Sequence, residues 1–267
     1  MGIKKDTSLD FSNLAIIGGA KIVQSYHTVL NSALPVHSLI TGLPLGGDDA
    51  ELWQKLQFLD TPCCALCGYP FEYDPNMGEG GDSYCAPCHA RPPKYDRGRS
   101  AILYCDASRK IILDFKHGGR TDGLAFFGAQ LLRVGREFLK DADVILPVPL
   151  HKARLRSRKF NQSALLAGKL SQLSHIPYDT NALLRIKNTP SQSGQTFVGR
   201  KRNVVGAFHV PASQVKHITG ARIILIDDVL TSGATLEGCA RVLKRAGAAQ
   251  VDVLTLMRVV SPLSVPT

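Results

Sequence analysis

Two adjacent carboxylates, Asp227 and Asp228, close the apolar run Ile223-Ile224-Leu225-Ile226 and are followed by Val229-Leu230-Thr231-Ser232-Gly233-Ala234-Thr235. Acids beside a hydroxyl-rich, glycine-containing turn suit a ligand with two chemically different halves. The hydroxyls of Thr231, Ser232 and Thr235 can donate to phosphate oxygens, and Gly233 lets the backbone approach an anion without a Cβ in the way. The acids repel a phosphate, so their work lies beside it, on sugar hydroxyls or a metal ion. A phosphosugar held by its phosphate in the turn and by its diol at the carboxylates satisfies both halves. The plainer reading, a buried strand with one capping acid and a turn glycine, leaves the second acid without a role.

A second chemical stretch is basic. Lys152, Arg154, Arg156, Arg158 and Lys159 put five cations into eight residues. The wider segment 151–202 holds 11 Lys and Arg against one acid, an excess equal to the net +10 of the whole chain. Such a block faces an anion, whether a pyrophosphate or a nucleic-acid backbone; its plainer reading is a solvated basic loop. The polar run from Lys187 to Thr196, with Pro190 and Gly194, has no apolar anchor. It is a candidate lid carrying Lys187 and Gln192, with Arg200 and Arg202 just beyond, or else an ordinary surface loop. No residue stands out as a general base.

The third stretch is Cys64-x2-Cys67, seventeen residues, then Cys85-x2-Cys88. Two such knuckles supply four thiolates for a closed, structural zinc site. Cys63 can replace Cys64 through a Cys-x3-Cys spacing, and both remain open. A disulfide framework does not suit a reducing compartment. Cys85-Ala86-Pro87-Cys88-His89 also fits a c-type haem attachment, but that leaves the other knuckle unused. A redox pair lacks its strand–helix setting. Cys105 and Cys239 read as small buried apolar residues.

These groups need elements to hold them. With 267 residues, 44% hydrophobic and 20% charged, the chain has room for one sizeable domain and a smaller module. No apolar run reaches membrane-spanning length, Lys21 ends the best N-terminal one, and the chain reads as cytoplasmic with no membrane insertion. We expect three parts: a partly helical extension over 1–61, a zinc ribbon over 62–91, and a main α/β domain over 92–267. Within the extension, 21–34 and 50–59 have helical spacing, with Trp53 a packing residue. In the main domain, strands are expected at 101–105, 143–149, 182–186, 204–210, 223–226 and 251–257. Helices are expected at 109–115, 124–139, 163–173 and from Leu236 to about Ala246, where Gly247 stops the last one. The acids and the basic block thus follow strands, where open parallel sheets bind ligands.

The Ile223–Thr235 pattern resembles the phosphoribosyl pyrophosphate (PRPP) signature of type I phosphoribosyltransferases. Over residues 62–258 the order of parts resembles the ComF family: the cysteine knuckles, Phe115-Lys116-His117-Gly118-Gly119, Pro147-Val148-Pro149-Leu150, Arg156 to Gln162, Gln192, Arg200, and Arg202 to Phe208. Where that family commonly has Arg-Gly-Phe-Asn-Gln, this chain has Arg158-Lys159-Phe160-Asn161-Gln162, with lysine at a turn that glycine would ease. The resemblance implies a parallel sheet flanked by helices, a type I phosphoribosyltransferase-like fold with an N-terminal zinc ribbon. It implies PRPP with Mg²⁺ as ligand, Asp227 and Asp228 on the ribose hydroxyls and the 231–235 turn on the 5′-phosphate. It also implies partners in DNA uptake and single-stranded DNA, on which Phe160, Phe197 or Tyr178 are available for stacking. Phosphoribosyl transfer and DNA binding without catalysis are the two activities it leaves open.

Overall fold

Aliphatic runs become neighbouring strands in the computed structural model, which describes residues 53–75, 81–117, 123–188 and 204–260. The strands are β1 (Arg97–Leu103), β2 (Val144–Pro147), β3 (Leu184–Arg185), β4 (Phe208–His209), β5 (Arg222–Leu230) and β6 (Gln250–Arg258). Four of them form a parallel sheet in the order β1-β6-β5-β2, and β3 pairs antiparallel with β4. This is the expected parallel sheet flanked by helices. Every central strand is buried on both faces, which is why β5 and β6 read as continuous apolar runs rather than alternating ones.

Helices Leu124–Leu139 and Gln162–Ser174 pack on each other and on the sheet, the first across β1 and β6 and the second across β2 and β5. Phe127, Leu131 and Phe138 bury the inner face of the first helix. It comes close because Gly135 offers no Cβ, which would meet Leu254 Cδ1 at 2.5 Å. Helix Ala234–Arg245 packs on β5 and β6 with the β3–β4 pair beside it, and its Leu236, Cys239, Ala240 and Leu243 share one core with Phe208, Ile223, Leu225 and Val253. A buried carboxylate on β6, Asp252, is satisfied by Arg97 from β1 at 3.1 and 2.6 Å and by Gln250 Nε2 at 2.7 Å. The Arg97 guanidinium also lies 4.3 Å from the Phe138 ring centre.

Several elements differ from expectation. Of the helix expected over 50–59, only Trp53 and Gln54 are helical among the described residues; residues 57–59 instead run antiparallel along β1, with Leu59 N–H donating to Ala101 O at 2.9 Å and Leu103 N–H to Gln57 O at 2.8 Å. An otherwise open sheet edge is a stronger partner for that backbone than a helix with one apolar stripe. Trp53 packs edge-on against Phe126, with ring centres 5.0 Å apart. The helix expected over 21–34 lies outside the described residues. Cys239 is buried as expected, whereas Cys105 is only half-buried, at the start of helix Asp106–His117, where its N–H donates to Ser108 Oγ at 2.9 Å.

Candidate functional site

Parallel pairing brings the carboxyl ends of β2 and β5 side by side, with Pro147 opposite Ile226 and Val148 N–H donating to Ile226 O at 2.8 Å. The sequence ends the strand at Ile226, but β5 runs through both acids to Leu230, because β6 continues beside it: Asp227 faces Thr255, Val229 faces Met257 and Leu230 faces Arg258. Strand alternation then gives the acids different surroundings. Asp227 falls on the face of Ile223 and Leu225, shared with helix Ala234–Arg245 and Phe208, and Asp228 falls on the opposite face. The Asp227 carboxylate is held in place: its Oδ1 accepts from Ser163 Oγ at 3.0 Å and from Asp228 N–H at 2.9 Å.

Beyond β5 the turn passes through Thr231, which is exposed, and Ser232, Gly233, Ala234 and Thr235, which are half-buried. Leu230 is in the core at 4% exposure, and Val229 is half-buried. Gly233 has φ +75°, a left-handed conformation that side chains resist, and an added Cβ would meet only Leu230 Cδ1 at 3.7 Å. Glycine is therefore required by the backbone angle, and the space beyond it is open. Helix Ala234–Arg245 begins there, its first bond running from Glu237 N–H to Gly233 O at 2.8 Å, so the amides of its first turn point out toward the turn. Glu237 would oppose an anion at this helix start, but Arg91 pairs with it at 3.1 Å.

The basic stretch is a helix, Lys152–Arg158, rather than a loop. Its cap is His151, whose Nδ1 accepts from Ala153 N–H at 3.3 Å. The turn divides its cations by face. Arg154 and Arg158, four residues apart, are half-buried; Lys152 and Arg156, also four apart, are exposed, as is Lys159. Burial lowers the Arg154 pKa, and the charges of Arg185 and Arg158 lower it further. Lys159 ends the helix at φ +67°, the left-handed conformation for which the family's usual glycine is suited. Asn161 joins this end to the sheet: its Nδ2 donates to Val148 O at 3.0 Å, and its Oδ1 caps helix Gln162–Ser174 by accepting from Ser163 N–H at 3.1 Å. Lys187 is exposed and donates to Val205 O at 2.9 Å. Gln192, Arg200 and Arg202, with Phe197, lie outside the described residues.

Two residues at this site were not singled out from sequence. Ser163 reads as the start of an apolar helix, with nothing to mark its contact across 64 residues to Asp227. Arg185 does carry a signal. In Ala182-Leu183-Leu184-Arg185-Ile186 the period of two puts Arg185 on the side of Leu183, and both are buried, while Leu184 and Ile186 are exposed.

The four cysteines Cys64, Cys67, Cys85 and Cys88 bring their sulfurs within 4.8 Å of one another, all buried, with Cys67 and Cys85 sulfurs 3.6 Å apart. Tetrahedral zinc–thiolate bonds of about 2.3 Å place sulfurs roughly 3.8 Å apart, so the donor set fits such an ion. The close set includes Cys64 and not Cys63. Cys64 is held low, to about 4, because its sulfur accepts from the Cys67 thiol and from backbone N–H groups, including Cys85 N at 3.3 Å. Burial pushes Cys88 up to about 12, with the Cys64 charge adding to it, and Cys67 is also raised. One thiolate is thus supported by its neighbours, and further ones call for a cation.

The cluster is seated against the sheet. Gly68 has φ +69°, and a Cβ there would strike Gly98 O at 2.5 Å, while one on Gly98 would meet Tyr95 Cε2 at 3.1 Å. Arg258, the last residue of β6, donates to Cys67 O and, at 3.5 Å, to Cys67 Sγ, with its guanidinium 5.4 Å from the Tyr69 ring centre. A guanidinium donating to a ligating sulfur offsets thiolate charge and orients the ligand.

The phosphoribosyl transferase domain family matches residues 142–265. Competence protein ComFC of Bacillus subtilis is 30% identical over 212 residues, 76% of this chain and 81% of the relative. DNA utilization protein YhgH of Salmonella typhimurium is 30% identical over 200 residues, 73% of this chain and 83% of the relative. Competence protein F of Haemophilus influenzae is 28% identical over 207 residues, 76% of this chain and 87% of the relative. No helix among the described residues is long and apolar enough to cross a membrane.

Proposed function

The chain belongs to the ComF family, and on that premise we propose that it binds PRPP with Mg²⁺ where β2 and β5 end. The observation that carries this reading is Asp227, fixed by Ser163 Oγ and Asp228 N–H beside a helix start whose Gly233 leaves open space. In this reading the 231–235 turn receives the 5′-phosphate on its hydroxyls and amides. Asp227 and Asp228 approach the ribose diol from the two faces of the strand. Arg154 and Arg158, the inward pair of the basic helix, meet the diphosphate. Bound Mg²⁺ would supply charge neutralisation on the diphosphate as its bond to the sugar weakens. The side chains contribute position and electrostatic stabilisation, which is most of what loss of pyrophosphate requires. The cysteine cluster holds structural zinc, and residues 62–91 form the ribbon around it, docked on the 92–267 domain.

A second reading is favoured by the outward face of the same helix. Lys152, Arg156 and Lys159 point to solvent, where they can track a single-stranded DNA backbone during DNA uptake, as the relatives' names suggest. Tyr178, 48% exposed, is available to stack a base. Both readings share one protein because they use different faces. The deciding test is calorimetric titration of Mg²⁺–PRPP into Asp227→Asn with Asp228→Asn. The expected result is loss of binding with an unchanged melting temperature, and retained affinity would rule the pocket out.

A further inference from the structure

The 231–235 turn is anchored on both flanks in the same core as the four cysteines. Leu230 just before it and Leu236 just after it are 4% and 1% exposed, in one buried cluster with Cys64, Cys67, Cys85 and Cys88. Leu230 lies opposite Arg258 in the β5–β6 register, and its carbonyl accepts from Val259 N–H at 2.9 Å. That same Arg258 donates to Cys67 O and Cys67 Sγ. The shape of the turn is therefore set by buried packing and backbone pairing.

Its charge is set at the surface. Glu237 is the acid in the first turn of helix Ala234–Arg245. It stands four residues beyond Gly233 on the same face, and helical side chains lean toward the N-terminus. A carboxylate so placed favours the empty helix start and opposes an anion arriving there. Arg91 answers it from 146 residues away, with its Nη2 donating to Glu237 Oε2 at 3.1 Å. The base of Arg91 is fixed by the second cysteine knuckle. It directly follows the short helix Ala86–Ala90, which carries Cys88, and its N–H donates to Pro87 O at 2.9 Å. The two side chains are 47% and 22% exposed, and a pair so exposed adds little to stability. Its larger effect is on the charge that a ligand meets at the helix start.

We propose that Arg91 is a positioning residue for the phosphate turn. By pairing with Glu237 it cancels the acid in the helix's first turn, so that the cysteine module sets how tightly the turn holds a 5′-phosphate. The proposal rests on the PRPP reading above and adds to it a residue outside the 142–265 match. The test is calorimetry of the full chain with Mg²⁺–PRPP and Mg²⁺–pyrophosphate, which lacks the 5′-phosphate. The proteins are the native chain, Arg91→Ala, Arg91→Lys, and Arg91→Ala combined with Glu237→Gln. Because the turn's shape does not depend on this exposed pair, the variants are expected to melt with the native protein. Arg91→Ala should weaken PRPP by about three- to tenfold at low salt and leave pyrophosphate within about twofold. Adding Glu237→Gln should restore PRPP affinity to within about twofold of native, and Arg91→Lys should keep most of it. Unchanged PRPP affinity in Arg91→Ala would overturn this proposal alone. A loss that Glu237→Gln does not restore, or one shared equally by both probes, would overturn it too, by making Arg91 a direct ligand or a structural residue. A native protein that does not bind PRPP would overturn the PRPP reading and this proposal with it.

Discussion

Lys159 occupies a position that suits a different residue. At φ +67° it adopts the conformation that costs a side-chain-bearing residue about 1 kcal/mol relative to glycine, and its side chain is exposed. Lys159→Gly is expected to raise stability by about 0.5–1 kcal/mol, less the entropy glycine returns to the unfolded chain, as a higher urea midpoint with an unchanged slope. A lower midpoint would show that the lysine makes a stabilising interaction that outweighs its backbone. At this scale the sequence was legible where the residue type carries the chemistry: the acids, the turn hydroxyls and the four thiols. It was not legible where a residue acts through position. Ser163 depends on a contact 64 residues away, whereas the inward direction of Arg185 follows the period of two that it shares with Leu183.

Helix Lys152–Arg158 shows the corresponding limit for elements. It has no buried residue and so no apolar stripe from which to read a helix, whereas Leu124–Leu139 buries Phe127, Leu131 and Phe138 and is legible to both ends. Folding as a helix is what sorts the five cations into two faces, and the sorting can be tested. Lys152→Ala with Arg156→Ala is expected to reduce the logarithmic salt slope of single-stranded DNA binding by about 1.4, the value for two lost phosphate contacts. Its PRPP affinity should stay within about twofold. A slope unchanged from that of the native protein in a fluorescence titration would remove the outward face from DNA binding. The strand β5 was legible as an apolar run, but its length was not, because what extends it through Asp227 and Asp228 is the partner strand β6.

For the molecule as a whole, sequence spacing identified the cysteine cluster and the parallel sheet, but not how closely they are joined. Metal loading is expected at about one zinc per chain, and it should be linked to pH. Cys64 and Cys67 share a proton through their hydrogen bond, which lowers Cys64 and raises Cys67, and burial raises Cys88, so the pair and Cys88 must each give up a proton to bind. Zinc binding at neutral pH should therefore release about two protons or more, and affinity should fall as pH falls, because protons then compete for the same sulfurs. Calorimetry in buffers of different ionisation enthalpy measures this directly, and release of fewer than one proton would contradict the ligand set.

The seam between cluster and sheet also limits how such a protein can be altered by recombination. Gly68 fits only against the bare backbone of Gly98, a Cβ on Gly98 would press on the Tyr95 ring, and Arg258, nearly two hundred positions from Cys67 in sequence, supplies that sulfur's donor from the end of β6. A knuckle borrowed from a relative would arrive without the strand surface shaped for it, and would leave a guanidinium stranded behind it. The heritable unit is thus discontinuous, joining residues 62–91 to the first residues of β1 and to the last residue of β6, and a crossover anywhere between Cys88 and Arg258 divides it.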